Sequence, residues 1–281
     1  MSVAFVLAGG GSLGAAQVGM LQALTGAGIT PELIVGTSAG ALNGAMLARG
    51  ADLDGVAQLA TIWTGLRRAT VFPASPFGAA RGLLGRSAAL CSPSGLSRVI
   101  DRCLAFERIE EAPVRLVVVA TNLLDGAEVL LDHGPAAPAL LASAAIPGVL
   151  PPVEVEGTML VDGAISHNAP ISAAISRGAT EVYVLPGGFA CGADMTGRPS
   201  ALAVGLHALT LLVGQRLRHD LTANHGVPVR LVPPLCPVSV APHDFSQAAD
   251  LMARALTGTR AWLEDGAPSA AAFARLGPHG H

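Results

Sequence analysis

Twice within its first forty residues the chain runs from a short apolar stretch through a glycine cluster into residues of helical spacing. Residues 3–7 close on Gly9-Gly10-Gly11, after which Val18, Leu21 and Leu24 recur about one helical turn apart. Pro31 then breaks the chain. Residues 33–35 form a second apolar run, and Gly36-Thr37-Ser38-Ala39-Gly40 leads from it into a helix through Leu42, Ala45, Met46 and Ala48. Runs without polar alternation are strands buried on both faces, and successive strands joined through helices lie parallel. The expected fold is therefore α/β, with helices on both faces of a mostly parallel central sheet, a three-layer α/β/α arrangement.

The remaining chain fits that plan. Residues 115–121 are an almost unbroken β-branched run, as a central strand should be, and residues 128–131, 159–161, 181–185 and 229–232 read as further strands. Helices are expected over residues 52–67, 96–104, 136–145, 171–176, 202–221 and 247–263. Residues 70–94 mix Pro, Gly and Ser with isolated Phe72, Phe77, Leu83 and Leu84. With no repeat and no long linker, residues 1–265 are expected to form one domain, and the small-residue segment 266–281 a flexible tail.

Charge narrows the function. Charged residues are 13% of the chain, about half the usual share, and all 17 cations are arginine. Net charge is −3 and no basic block occurs, so nucleic acid is not an expected partner. The longest apolar stretch, residues 201–213, is interrupted by His207 and Thr210 and falls short of the roughly 18 residues a membrane span needs. The first residues have no positive n-region, and Cys91, Cys103, Cys191 and Cys236 show no C-x-x-C spacing. A cytoplasmic protein with free thiols and no signal peptide is expected. No His, Asp or Glu cluster has metal-ligand spacing, and neither metal nor cofactor is expected.

Chemistry is concentrated in three short units. In Gly36-Thr37-Ser38-Ala39-Gly40 a serine flanked by glycines sits between strand and helix, the pattern of a nucleophile elbow, where glycines leave room for a turn that exposes the hydroxyl. The alternative is a helix N-cap, with Ser38 bonding the first amides. Gly9-Gly10-Gly11-Ser12-Leu13-Gly14 fits the G-x-G-x-x-G of dinucleotide folds, but those want an acid ending the second strand, and here Glu32 precedes it. The competing reading is an oxyanion hole made by the amides of Gly9, Gly10 and Gly11. Asp162-Gly163-Ala164, the third unit, is on composition alone an ordinary turn.

In this order the three units resemble the signature blocks of the patatin-like phospholipase family, as do the segment 142–152 and Asn168-Ala169-Pro170. The likeness extends over residues 2–185, and Asp244-Phe245-Ser246 is similar to bacterial members. It implies a lipid acyl hydrolase, of phospholipase or lysophospholipase type, working through a Ser38–Asp162 dyad and an acyl-enzyme. Ser38 would be the nucleophile, Asp162 the proton acceptor and Gly9 to Gly11 the oxyanion hole. Gly14, Gly36, Gly40 and Gly163 would be structural. Leu13 stands where the family often has Arg or Lys.

Other readings stay open at this point. An α/β-hydrolase esterase or an acyltransferase would add a histidine, for which His207, His219, His225 and His243 are candidates. A non-catalytic lipid-binding relative would keep the motifs by descent. The expected partner is a lipid or lysolipid ester. Residues 70–94 are a candidate acyl groove, and the helix over 202–221, ending in Arg216, Arg218 and His219, a candidate membrane contact.

Overall fold

The computed structural model describes residues 2–73, 89–187, 201–222 and 226–268. Its strands are β1 (Val3–Leu7), β2 (Leu33–Thr37), β3 (Arg115–Asn122), β4 (Glu128–Leu131), β5 (Val153–Val155), β6 (Thr158–Asp162), β7 (Glu181–Leu185) and β8 (Val229–Leu231). The helices are α1 (Ala15–Gly26), α2 (Ala39–Leu47), α3 (Leu53–Gly65), α4 (Arg68–Val71), α5 (Ser94–Cys103), α6 (Ala136–Ser143), α7 (Ile171–Ser176), α8 (Ala201–Thr222) and α9 (Ala248–Glu264). Strands β3, β2, β1, β7 and β8 lie side by side and parallel; β4, β6 and β5 pair antiparallel at one end.

Alternation along the strands divides the interior into two cores. Phe5, Leu7, Ile34 and Val118 face one, filled by α1, α2, α3, α5, α6 and α9. Ala4, Val6, Val35 and Val119 face the other, covered by α7 and α8. Sheet strands with both faces occupied give the expected three layers.

One feature of the pairing positions the site. Along one edge of β3, β4 pairs continuously with residues 118–121. The other edge is shared: Thr37 at the end of β2 faces Val119, and Asp162 at the end of β6 faces Ala120. Strands β2 and β6 thus run toward each other and stop end to end, so residues 124 positions apart in sequence emerge side by side. The β5–β6 hairpin, closed by Glu156 and Gly157 at positive φ, is what feeds β6 in from that direction. β5 and α4 are the elements that the sequence pattern does not announce.

Candidate active site

Ser38 sits in the turn between β2 and α2 at φ 54°, ψ −123°, a conformation that side chains rarely adopt and that costs about 1–3 kcal/mol. The surroundings hold it there. Its N–H donates to Ser143 Oγ at 2.8 Å, and Ser143 Oγ–H donates on to Val119 O at 2.6 Å. Its carbonyl accepts from Ala41 and Leu42 N–H at 2.9 and 3.1 Å. Any side chain at Gly40 would strike the Leu7 carbonyl, and one at Gly36 would meet Ala41 Cα at 2.6 Å. These glycines are what lets the turn close.

The hydroxyl makes no cap to its helix, which removes the N-cap reading. Instead Ser38 Oγ–H donates to Asp162 Oδ2 at 2.7 Å, with both residues buried. Asp162 is itself fixed: Oδ1 accepts from Ala164 N–H at 2.9 Å and its carbonyl from Thr121 Oγ1–H at 2.9 Å. Gly163 lies so close to the Val119 carbonyl that a side chain would collide with it. Burial pushes the Asp162 pKa up from 3.8 to about 6, against the lowering effect of the Ala164 and Ser38 hydrogen bonds. Among the described residues no histidine hydrogen-bonds either Ser38 Oγ or the Asp162 carboxylate. His219 pairs with Asp220, and His225 lies outside the described residues.

The glycine loop follows β1 at the same sheet edge. One amide of the expected three is already committed: Gly9 N–H donates to Asn168 Oδ1 at 2.9 Å, so it has no proton left for a bound oxyanion. The Gly10 and Gly11 amides find no acceptor among the described residues. Gly11, at φ 58°, turns the chain, and a side chain there would strike the Pro242 carbonyl, which accepts Ser12 N–H at 2.8 Å. Gly14 packs against Ala39 and the Trp63 ring, where a Cβ would come within 3.0 and 3.1 Å.

Ser38 opens into a pocket walled almost entirely by apolar side chains, among them Leu42, Met46, Trp63, Phe72, Leu96 and Phe245. Gly11, Ser38, Ala39 and Asn43 also line it. Phe72 from the expected acyl-groove segment is part of this wall; Phe77, Leu83 and Leu84 lie outside the described residues. Sequence reasoning missed Asn43, Gln17 and Trp63, and took Ser143 only as part of the segment 142–152. The two amides carry no motif, because a lone polar residue in an apolar helix is usually a satisfied core group.

A family model described as patatin-like phospholipase matches residues 5–175. The chain belongs to the patatin-like phospholipase family. Among relatives of this patatin-like chain, an NTE family protein of Mycobacterium tuberculosis is 35% identical over 170 residues, covering 60% of this chain and 44% of the relative. The lysophospholipase NTE1 of Saccharomyces cerevisiae is 27% identical over 197 residues, covering 67% of this chain and 11% of the yeast protein. The chain therefore spans less than half the length of either. The crystal structure of VipD from Legionella pneumophila matches with a TM-score of 0.50 at 16% identity, over 94% of this chain and 67% of that one, a likeness of fold. No helix among the described residues is long and apolar enough to cross a membrane.

Proposed function

We propose that this chain is a serine carboxylester hydrolase acting on lipid or lysolipid acyl esters. The observation that carries the reading is the 2.7 Å hydrogen bond to Asp162 Oδ2 from Ser38 Oγ, a residue that lines a largely apolar pocket. Family membership and the lysophospholipase among the relatives support the substrate class.

Ser38 Oγ attacks the ester carbonyl while its proton passes to Asp162 Oδ2. The carbonyl oxygen gains charge beside the Gly10 and Gly11 amides, whose stabilisation is worth roughly 3–4 kcal/mol per donor in known cases. The tetrahedral intermediate collapses, the alcohol leaves with the proton returned from Asp162, and the acyl group stays on Ser38. Water then attacks the acyl-enzyme with the same carboxylate as base, the acyl–Ser38 Oγ bond breaks, and the fatty acid leaves as the proton returns from Asp162 to Ser38 Oγ. An ordinary aspartate near pKa 3.9 is a poor acceptor for this work. At about 6, Asp162 is ionised at neutral pH yet closer to the operating range of a general base. The acyl chain would lie against Met46, Trp63 and Phe245.

Residues 1–265 would act as one acyl hydrolase domain, a reading supported by the single sheet that carries both Ser38 and Asp162. At the start of the segment expected as a tail, Trp262 Nε1–H donates to Pro268 O at 3.1 Å. Residues 269–281 lie outside the described residues. A cytoplasmic location with transient contact to a lipid surface fits this reading.

The test is hydrolysis of nitrophenyl esters of increasing chain length and of a lysophospholipid, by wild type and Ser38→Ala. Release of fatty acid by wild type alone is expected. Equal release by both overturns Ser38 as the nucleophile, and release by neither overturns the hydrolase assignment and leaves a non-catalytic lipid-binding protein as the better reading.

A further inference from the structure

Leu13 is buried in the apolar core, so the glycine loop carries no cation to hold it. What fills that role is visible in a chain of neutral groups behind the loop. Trp63 Nε1–H donates to Asn43 Oδ1 at 2.7 Å. Asn43 Nδ2 donates to Gly14 O at 3.0 Å and to Gln17 Oε1 at 2.8 Å. Gln17 Nε2 donates to Ala8 O at 2.7 Å and to Leu185 O at 3.0 Å. Asn43 and Gln17 are fully buried and every donor on the two amides is used.

The polarity of this chain is set at one end. An amide can flip, exchanging its oxygen and nitrogen, but the indole N–H only donates. Trp63 therefore requires Asn43 to present Oδ1, which directs Nδ2 at Gly14 O and Gln17 Oε1, which in turn aims Gln17 Nε2 at Ala8 O. The two carbonyls gripped, Ala8 and Gly14, bracket the segment containing the Gly10 and Gly11 amides, which have no acceptor among the described residues. The Trp63 ring also touches Gly14, walls the apolar pocket and stacks on Phe245 with centroids 6.1 Å apart.

We propose that Trp63, Asn43 and Gln17 are positioning residues: a donor-directed amide relay that clamps both ends of the glycine loop and so aims the Gly10 and Gly11 amides at the reacting carbonyl. Its kinetic consequence rests on the hydrolase reading of Ser38; its effect on the loop does not. Because the relay acts on the amides that meet developing charge, it contributes to turnover more than to substrate affinity.

Trp63→Phe keeps most of the ring and removes the donor. Three quantities are measured in this variant: amide hydrogen exchange, ester kinetics with a short nitrophenyl ester, and inhibition by a trifluoromethyl ketone, whose hydrate-like adduct mimics the tetrahedral intermediate. Exchange over residues 9–14 is expected to quicken about tenfold while residues 162–166 stay as in wild type. The turnover number should fall about tenfold at a KM within about twofold, and the ketone should weaken by the same factor as kcat/KM. Unchanged exchange over residues 9–14 overturns the relay, as does a rise in KM without loss of kcat, which would make Trp63 a pocket wall only. Should wild type hydrolyse no ester, the hydrolase reading falls, and the exchange comparison alone decides the relay. Should Trp63→Phe not fold, benzothienylalanine at position 63, which replaces only the N–H by sulfur, is read by the same outcomes.

Discussion

The two strand–turn–helix units at the start of the chain use the same residue types at the same sheet edge, and they deliver different things. The turn after β2 delivers a side chain. It strains one non-glycine residue, Ser38, and places Gly36 and Gly40 where bulk would block the turn. The loop after β1 delivers bare backbone, with Gly10 and Gly11 amides left unpaired among the described residues. Their supports differ accordingly. Ser38 is held by the first turn of α2 and by one side chain, Ser143, whereas the glycine loop is tied at several points, by Asn168, the Pro242 carbonyl and the Gln17–Asn43 amides. A projecting hydroxyl needs space and one partner; an array of amides needs its whole backbone fixed, because it has no side chain to steer.

If that contrast is right, the largest effect belongs to the delivered side chain. Ser38→Ala should lower ester turnover by at least about 10⁴-fold, as loss of a nucleophile does elsewhere, with fluorophosphonate labelling abolished by mass spectrometry.

Asp162→Asn comes next, with a turnover loss of about 10³-fold or more, because the amide holds the geometry but accepts no proton. Its effect on stability has the opposite sign. The folded pKa lies above the usual carboxylate value, so the folded state binds more protons between about pH 4 and 6 and loses stability as pH rises through that window. At neutral pH the buried charge costs up to about 3 kcal/mol. The variant should therefore melt higher than wild type at pH 8 and lose that advantage below pH 4.

On the backbone side, Gly10→Ala should cost about 10²-fold in turnover, since its Cβ would come within 2.7 Å of the Gly187 carbonyl and displace the loop's amides. Ser143→Ala sharpens the comparison at the elbow. It leaves Ser38 N–H and Val119 O unpaired in the core, which should cost about 1–3 kcal/mol of stability and about tenfold in turnover, measured by denaturant titration and ester kinetics. The smallest effect belongs to a residue outside both units. Arg108→Ala breaks a surface pair with Glu110 and should leave turnover unchanged, with stability within about 0.5 kcal/mol.

The parts of this molecule legible in the sequence are those whose signal is local. The β1 and β2 runs, the two glycine turns and the β-branched run of β3 state their own conformation, and they fix a mostly parallel sheet between two helix layers. β5 is only three residues long, and its turn is Glu156-Gly157 rather than the usual Asn-Gly, so no hairpin signal precedes β6. Without β5, nothing in the sequence shows that β6 meets β2 end to end, and Asp162 beside Ser38 is reachable only through resemblance to the family. Gly9 and Asn168 each lie in a block that resembles the family, but their contact, across 159 positions, is written in neither. Asn43, Gln17 and Trp63 look like ordinary residues of apolar helices until their partners are seen.

The central claim, that the Asp162 carboxylate takes the proton of Ser38, is tested most directly by the pH dependence of fluorophosphonate labelling at Ser38. In wild type the labelling rate should climb with a midpoint near pH 6 and level off above about pH 7, and in Asp162→Asn it should be slow and flat across the range. Rapid labelling of Asp162→Asn with the wild-type profile would contradict the claim.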